Sequence, residues 1–338
     1  MRAKHKDQSM FYGAITNTTC MRTCMPLPET ELLDTRRLHQ FVVAVESDTL
    51  SAAAARLFLT QQALSASIRQ LERDVGVPLF DRRRRKLHLT DAGNALFSGA
   101  KSLLAGNHAL LTRVRETAKG ESTPFVVGHS PAISGDEVYR LITPAIDLMP
   151  HQPITVRQVF PGQLRDLLFA NEIDVALRRG VESSANLVSA VFAYHELRIA
   201  VVADHPLAHR NSISVLDLID TPIVVWAPER RSFYTDFLVS FCRRGGFEPT
   251  LIVNPVQGTP PATAVARFPE ACAFVTDPPG DLHGGSVRVV SFDDPPLAPV
   301  QALWLPYTHS PVRDAIVRGR PDSGSARGSG TRPGAGPA

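Results

Sequence analysis

Cysteine is scarce: Cys20, Cys24, Cys242 and Cys272 are the only four in 338 residues, too few and too dispersed for a disulfide framework. Cys20 and Cys24 have no second Cys or His pair at zinc-finger spacing, so no metal site is expected. Long apolar runs are missing as well. None approaches the roughly 18–20 residues of a membrane-spanning helix, and the N-terminal segment lacks the apolar core of a secretory signal. The expectation is a cytoplasmic protein without a membrane partner. Excess charge of one sign is absent, since 36 Lys and Arg against 33 Asp and Glu leave only +3. Bulk charge therefore does not point to nucleic acid, and any basic site must be local. The segment Gly128-His129-Ser130-Pro131-Ala132 lacks the second glycine of a nucleophile elbow, and no partner histidine stands at a telling spacing. No enzyme activity and no cofactor are expected.

What is present describes a folded chain: 43% of residues are hydrophobic and 20% charged, a globular composition. At about 100–200 residues per domain the length implies two domains. Residues 1–33 show no sustained periodicity and are expected to be a disordered extension. Residues 319–338 carry Gly, Pro, Ser and Arg with alanine as the only apolar type, and are expected to be a disordered tail. Between them, 35–119 is helix-patterned, whereas 124–317 alternates β-branched runs with helical stretches, the mark of a parallel α/β sheet. The composition changes near 120–123.

In the first domain Leu38, Phe41, Val42 and Val45 recur at helical spacing behind a cap at Asp34 or Thr35. Ser51 is expected to cap a short alanine-rich second helix ending near Leu57, and Thr60 a third. Leu64, Ile68, Leu71 and Val75 share the buried face of that third helix, and Gly76 supplies a left-handed stop. Its other face holds Gln62, Ala66, Arg69 and Arg73, flanked by Gln61 and Ser65. Amide, hydroxyl and guanidinium groups there suit the major groove, where base edges present distinct donor and acceptor patterns. Gln61, Gln62, Ser65 and Arg69 are the base-contact candidates, and Thr60 and Arg73 the backbone candidates. A hairpin follows, tipped by Arg82, Arg83, Arg84, Arg85 and Lys86. Five adjacent cations repel one another unless a polyanion lies nearby, so this wing is expected to grip phosphates. A helix-turn-helix pattern alone, or an arginine run alone, also occurs in proteins that bind no DNA. Side by side they favour double-stranded DNA.

Residues 41–45, 52–57, Thr60, Gln61, 63–65, Ile68, Leu71, Glu72, 76–82 and 89–93 together resemble the winged helix-turn-helix of LysR-type transcriptional regulators. In the second half, His205-Pro206-Leu207-Ala208 and Asp174-Val175-Ala176-Leu177 resemble that family's effector domain. The resemblance covers about 35–318. It implies an α+β multidomain chain: a winged helix-turn-helix over 34–93, a linker helix over 94–119, and a two-lobed α/β, periplasmic-binding-protein-like effector domain over 124–318. It also implies sequence-specific transcription regulation on an operator with an interrupted dyad, a small-molecule effector, a homodimer or homotetramer, and contact with RNA polymerase. Gln62 and Ala66 depart from the family pattern, which has Pro or a small residue at the first and a longer polar side chain at the second. The operator therefore cannot be copied from relatives. Independently, Leu96, Leu103 and Leu110, with Phe97, Leu104 and Leu111, recur every seven residues, as in a helix pair. A helix packed on its own domain has the same pattern.

In the second domain strands are expected at 125–127, 154–160, 173–177, 197–202, 223–226, 251–253, 273–275, 287–290 and 302–305. Lobe I is expected over 124–193 and 285–318, and lobe II over 194–284. Open α/β sheets bind ligands beyond the carboxyl ends of their strands, which makes Ser130, Gly162, Arg179, Arg230 and Ser232 the effector-binding candidates. Ser130, ahead of a helix from Asp136, would hold an anion, and Arg179 would fork a carboxylate. Residues 228–234 and 246–249 are similar to a branch of the family that senses aromatic acids, although solvated arginines at a helix start read the same way. Cys242 and Cys272 are expected to be buried hydrophobes. The competing reading is a solute receptor using the two-lobed domain alone.

Overall fold

The computed structural model describes residues 32–319 except 82–87, 120–122, 185, 257–258 and 260. The expected N-terminal extension, with Cys20 and Cys24, all but the edge of the expected tail, and the wing-tip cations Arg82 to Lys86 lie outside the described residues.

Helix α1 (Thr35–Val45) is capped by the Asp34 carboxylate, which accepts from the Arg36 and Arg37 amides. Helix α2 (Leu50–Arg56) starts one residue before Ser51, because the cap is Thr49, whose hydroxyl accepts from the Ala52 amide. Helix α3 (Gln61–Val75) is capped by Thr60 and ends at Gly76, whose φ of 79° is the left-handed conformation that glycine adopts without strain. Leu38, Phe41, Leu64 and Leu71 are buried at the centre of the three helices. The wing is pinned by a bridge between Phe80 and Leu89 and by the Asp81 amide donating to His88 O. Phe80 meets Phe41 edge-on at 5.6 Å, joining the wing to α1. The linker helix α4 (Asp91–Lys119) begins three residues before 94, since the Thr90 hydroxyl caps it by accepting from the Gly93 amide.

In lobe I, β1 (Phe125–His129), α5 (Gly135–Leu148), β2 (Ile154–Gln158), α6 (Pro161–Phe169), β3 (Val175–Arg179) and β4 (Val188–Glu196) come first in sequence. Lobe II holds β5 (Arg198–Val202), β6 (Ser212–Ile213), β7 (Ile223–Val225), α7 (Phe233–Arg244), β8 (Leu251–Val253), α8 (Pro261–Ala264), β9 (Ala273–Val275), β10 (Gly280–Leu282) and β11 (Val287–Phe292). The chain returns to lobe I with β12 (Leu297–Trp304) and α9 (Pro311–Arg318). The lobe I sheet has the order β2-β1-β3-β12-β4, and the main lobe II sheet β10-β11-β5-β9.

Neither sheet is wholly parallel. β1 pairs parallel with β2 and β3, but β12 runs antiparallel to β3 and β4, and β5 runs antiparallel to both of its neighbours. Sequence reading missed β4, β6 and β10. β4 is an edge strand with mostly exposed or half-exposed residues, so its apolar signal is diluted, and the others are only two and three residues long. The lobe boundaries shift as well. β11 belongs to lobe II because Val287–Val290 pair with β5, so the return to lobe I lies at 293–296 and not near 285. The outward crossing falls at Leu197, whose amide donates to Pro296 O at 2.9 Å, so the two crossings run side by side. Among the described residues no helix is long and apolar enough to cross a membrane, and no cluster of His, Cys, Asp and Glu is placed to hold a metal. Cys242 and Cys272 are buried in the lobe II core, as expected, and burial pushes the Cys242 thiol up to about 11.

Candidate functional site

Two places collect polar and cationic side chains: the outer face of α3 with the wing, and the cavity between the lobes. On α3, Thr60, Gln61, Gln62, Arg69 and Arg73 are exposed and Ser65 is half-buried. Helical spacing sets Gln62, Ala66, Arg69 and Arg73 along one stripe with Gln61 and Ser65 beside it. Two of these groups are already oriented. Ser51 Oγ donates to Gln61 Oε1 at 3.1 Å, and an Arg73 guanidinium nitrogen donates to Gln70 Oε1. Ser51 thus has a role different from the expected cap: relieved of that task by Thr49, it steadies a side chain of the next helix.

The wing and α3 form one unit through Glu72. Its Oε1 accepts the Leu79 amide at 2.9 Å and the Phe80 amide at 3.4 Å. The helix that carries the polar stripe therefore sets the direction in which the hairpin leaves it. At the other strand, Thr90 Oγ1 donates to Pro78 O at 2.8 Å, and Gly93 packs so closely on Leu79 O that a Cβ there would overlap it.

The six heptad residues of α4 separate into two groups. Leu96, Phe97, Leu103 and Leu104 are partly buried against the core of their own helix-turn-helix. Leu110 and Leu111 are 61% and 45% exposed, and Val114, one turn on, is 58% exposed. The own-domain alternative therefore accounts for the first four, and an uncovered apolar stripe begins at Leu110. α4 is also tied to lobe I, since Ser102 Oγ donates to Asn186 O at 2.8 Å and Asn171 Nδ2 to Ala105 O at 3.2 Å.

Between the lobes lies a cavity of about 210 Å³. Lobe I contributes Ser130 after β1, Gly162 in the first turn of α6, and Arg178 and Arg179 at the end of β3. Lobe II contributes Trp226 after β7, and Arg231, Ser232 and Tyr234 around the start of α7. These are carboxyl ends of strands, where open sheets bind ligands. Phe160, Trp226, Tyr234, Leu238 and Phe274 make much of the wall apolar. Burial pushes the Tyr234 phenol up to about 12, against the pull of nearby Arg179, so it stays a neutral hydroxyl.

Four of the five effector-binding candidates line this cavity: Ser130, Gly162, Arg179 and Ser232. Arg230 does not. It is exposed, with a left-handed φ of 64° and its amide tied to Asp236 Oδ1 at 2.6 Å, and its neighbour Arg231 lines the cavity instead. The helix after Ser130 starts at Gly135 and is capped by Ser134, which accepts from the Glu137 amide. The fork of Arg179 is not open. Its Nη2 donates to both oxygens of Glu137 at 2.5 and 2.6 Å, and its Nε donates to Ala132 O at 2.8 Å.

Sequence reading missed Arg178 and Glu137. Arg178 pairs with Glu182 and stacks on Phe233 at 4.5 Å. Glu137, 1% exposed, also bonds to His195 and accepts from Thr276 Oγ1 at 3.1 Å. Burial works to raise the Glu137 carboxyl, but the His195 hydrogen bond and the Arg179 charge outweigh it and hold the group below the usual carboxylate range. A glutamate near the start of an amphipathic helix looks solvated in sequence, and only the tertiary arrangement brings Arg179 beside it. Three buried polar atoms of cavity-lining residues have no hydrogen-bond partner among the described residues: Ser130 Oγ, Arg178 Nε and Arg179 Nη1.

Comparison with known proteins agrees with this arrangement. Residues 35–94 match the family model described as bacterial regulatory helix-turn-helix protein, lysR family, and residues 118–317 match the LysR substrate binding domain. The chain is 28% identical over 230 residues to the transcriptional regulator AlsR of Bacillus subtilis, covering 67% of this chain and 74% of that protein. To BudR of Raoultella terrigena it is 30% identical over 221 residues, covering 64% and 75%. A full-length OxyR variant from Pseudomonas aeruginosa shares the fold with a TM-score of 0.50 at 20% identity, over 84% of this chain and 95% of that one.

Proposed function

Because the chain belongs to the LysR family and is a DNA-binding transcriptional regulator with an effector-binding domain, we propose that α3 reads an operator while the wing grips its backbone, and that a small organic acid in the interlobe cavity adjusts the pose. Gln61, Gln62, Ser65 and Arg69 contact base edges, and Thr60, Arg73 and the wing cations Arg82 to Lys86 contact phosphates. The observation that supports this reading is the joint made by Glu72, which ties α3 and its polar face to Leu79 and Phe80 at the start of the segment that continues in sequence into Arg82 to Lys86.

In this reading the effector enters on Ser130, Gly162, Arg178, Arg179, Arg231 and Ser232. An apolar cavity of about 150 Å³ holds benzene, so about 210 Å³ accommodates a ring of that size with a carboxyl group. The working unit is a homodimer or homotetramer joined through the α4 stripe from Leu110 onward, bound to an interrupted inverted repeat and acting on RNA polymerase. The domains run over 34–90 for the winged helix-turn-helix, 91–119 for the linker helix and 124–318 for the effector domain, with lobe II over 197–292. The chain works in the cytoplasm and catalyses no reaction. A receptor using the two-lobed domain alone does not fit a chain whose N-terminal part matches a regulatory helix-turn-helix.

Gel-shift titration with a genomic operator fragment over a series of salt concentrations tests the division of labour. Neutralising Arg82 to Lys86 is expected to weaken binding to every sequence and to flatten the salt slope by about 0.9 for each phosphate that is no longer neutralised. Gln61→Ala is expected to relax preference at particular base pairs and leave the slope unchanged. Identical effects from the two changes would refute the assignment.

A further inference from the structure

Among the described residues, three guanidinium groups line the interlobe cavity, Arg178, Arg179 and Arg231, and no carboxylate does. Two of the three are compensated from behind, Arg178 by Glu182 and Arg179 by Glu137. Arg231, on the facing lobe, has no carboxylate in ion-pairing range among the described residues. Three cations less two carboxylates leave one positive charge to be met.

We propose that Glu137 sets the charge of the ligand this cavity accepts: the site binds a small organic acid with one carboxylate and rejects diacids, because Glu137 fills the fork of Arg179 that a second carboxylate would need. The proposal rests on the reading of the cavity as the effector site and adds the chemical class to it. Three observations support it. The orphaned donors Ser130 Oγ, Arg178 Nε and Arg179 Nη1 fall within the capacity of one carboxylate, which offers about four lone-pair sites. A second anionic group would enter an apolar-walled space with no uncompensated cation left, and burying an unpaired charge is strongly disfavoured. Glu137 is also not easily displaced. It is 1% exposed and held by Arg179, His195 and Thr276, drawn from β3, β4 and the segment after β9. Its depressed titration keeps it anionic at neutral pH, so it remains a competitor for Arg179.

The same network reaches both lobes. Glu137, Arg179 and His195 belong to lobe I and Thr276 to lobe II. The residue that selects charge therefore also holds the lobes in the spacing that defines the cavity.

Calorimetric titration of the full-length chain at pH 7 tests this with two pairs of acids that differ by a methyl group for a carboxylate: crotonate with fumarate, and para-methylbenzoate with terephthalate. The monoacid of at least one pair is expected to bind about tenfold or more tighter than its diacid. Glu137→Gln is expected to shrink that preference about tenfold, and Glu137→Asp, which keeps the charge, to retain it. Equal or tighter binding of the diacids by the unmodified chain overturns the proposal, as does an unchanged ratio in a folded Glu137→Gln variant. Should that variant fail to fold, Arg231→Gln at the exposed rim decides. A drop of about tenfold in monoacid affinity supports the charge count, and unchanged affinity overturns it. If the unmodified chain binds none of the acids while still binding its operator, the effector reading itself falls, and the proposal with it. Binding without regard to charge removes the proposal alone.

Discussion

Gln61 stands on the first turn of α3 with its side-chain oxygen taken by Ser51, so the orientation of its amide is decided by a residue of the preceding helix. Ser51→Ala is therefore expected to weaken operator binding without touching DNA. The loss should be smaller than that of Gln61→Ala, which removes the amide altogether. Competition gel shifts with single-base operator variants check both. Two buried residues of lobe I contribute to the response to pH. Burial holds the His129 imidazole below its ordinary value of 6.5, and Glu137 lies below its ordinary 4.5. For both groups the unfolded chain binds more protons than the folded one at pH values just under those references. The stability they contribute is thus complete at higher pH and lost on acidification, from about 6.5 downward for His129 and from about 4.5 downward for Glu137. Thermal melts are expected to move to lower temperature as pH falls from 7 to 5. His129→Asn should flatten that upper part of the curve and leave the fall below 4.5.

At the scale of elements, the wing and the linker helix meet in a close backbone approach. Gly93 lies against Leu79 O with no room for a Cβ, and the Leu79 amide is held by Glu72. Gly93→Ala is expected to destabilise the winged domain by about 1–3 kcal/mol, the usual cost of overpacking. Because the same close approach aims the hairpin, operator affinity should fall by more than the unfolded fraction explains. Denaturant melts alongside gel shifts separate the two effects. Helix α4 carries the other element-level consequence. Its first four heptad residues belong to the core of its own domain, and its later ones face outward. An apolar heptad thus had two meanings on one helix, and burial separates them at about residue 110.

At the scale of the molecule, the proposed joining of two reading heads through that stripe would raise operator affinity by linkage. Leu110→Asp combined with Val114→Asp is expected to give a monomer in sedimentation, with operator affinity lower by about 10²-fold or more and single-domain stability retained, as both positions are exposed. A dimer that survives the double change would place the interface elsewhere. The two crossings between the lobes run side by side at Leu197 and Pro296, and the Glu137 network also spans both lobes. A ligand acts on the reading heads only through a difference in affinity between two lobe arrangements.

Much of this was legible in the chain itself, wherever a local rule sufficed. The caps Asp34 and Thr60, the stop at Gly76 and the buried stripe Leu64, Ile68 and Leu71 follow from backbone hydrogen bonding and helical period, which act over a few residues. A strand stands at each of the nine expected places for the same reason, as these are apolar, mostly β-branched runs, though the ends of some shift by up to five residues, as in β12. What the fold alone decided depends on residues far apart in sequence. The antiparallel placement of β12, the return crossing at 293–296, the replacement of Arg230 by Arg231 at the cavity and the capture of Arg179 by Glu137 all arise when distant strands and helix ends meet. Periodicity reports which face of an element is buried. It carries no information on which charge will lie across from which, because that pairing is set by packing.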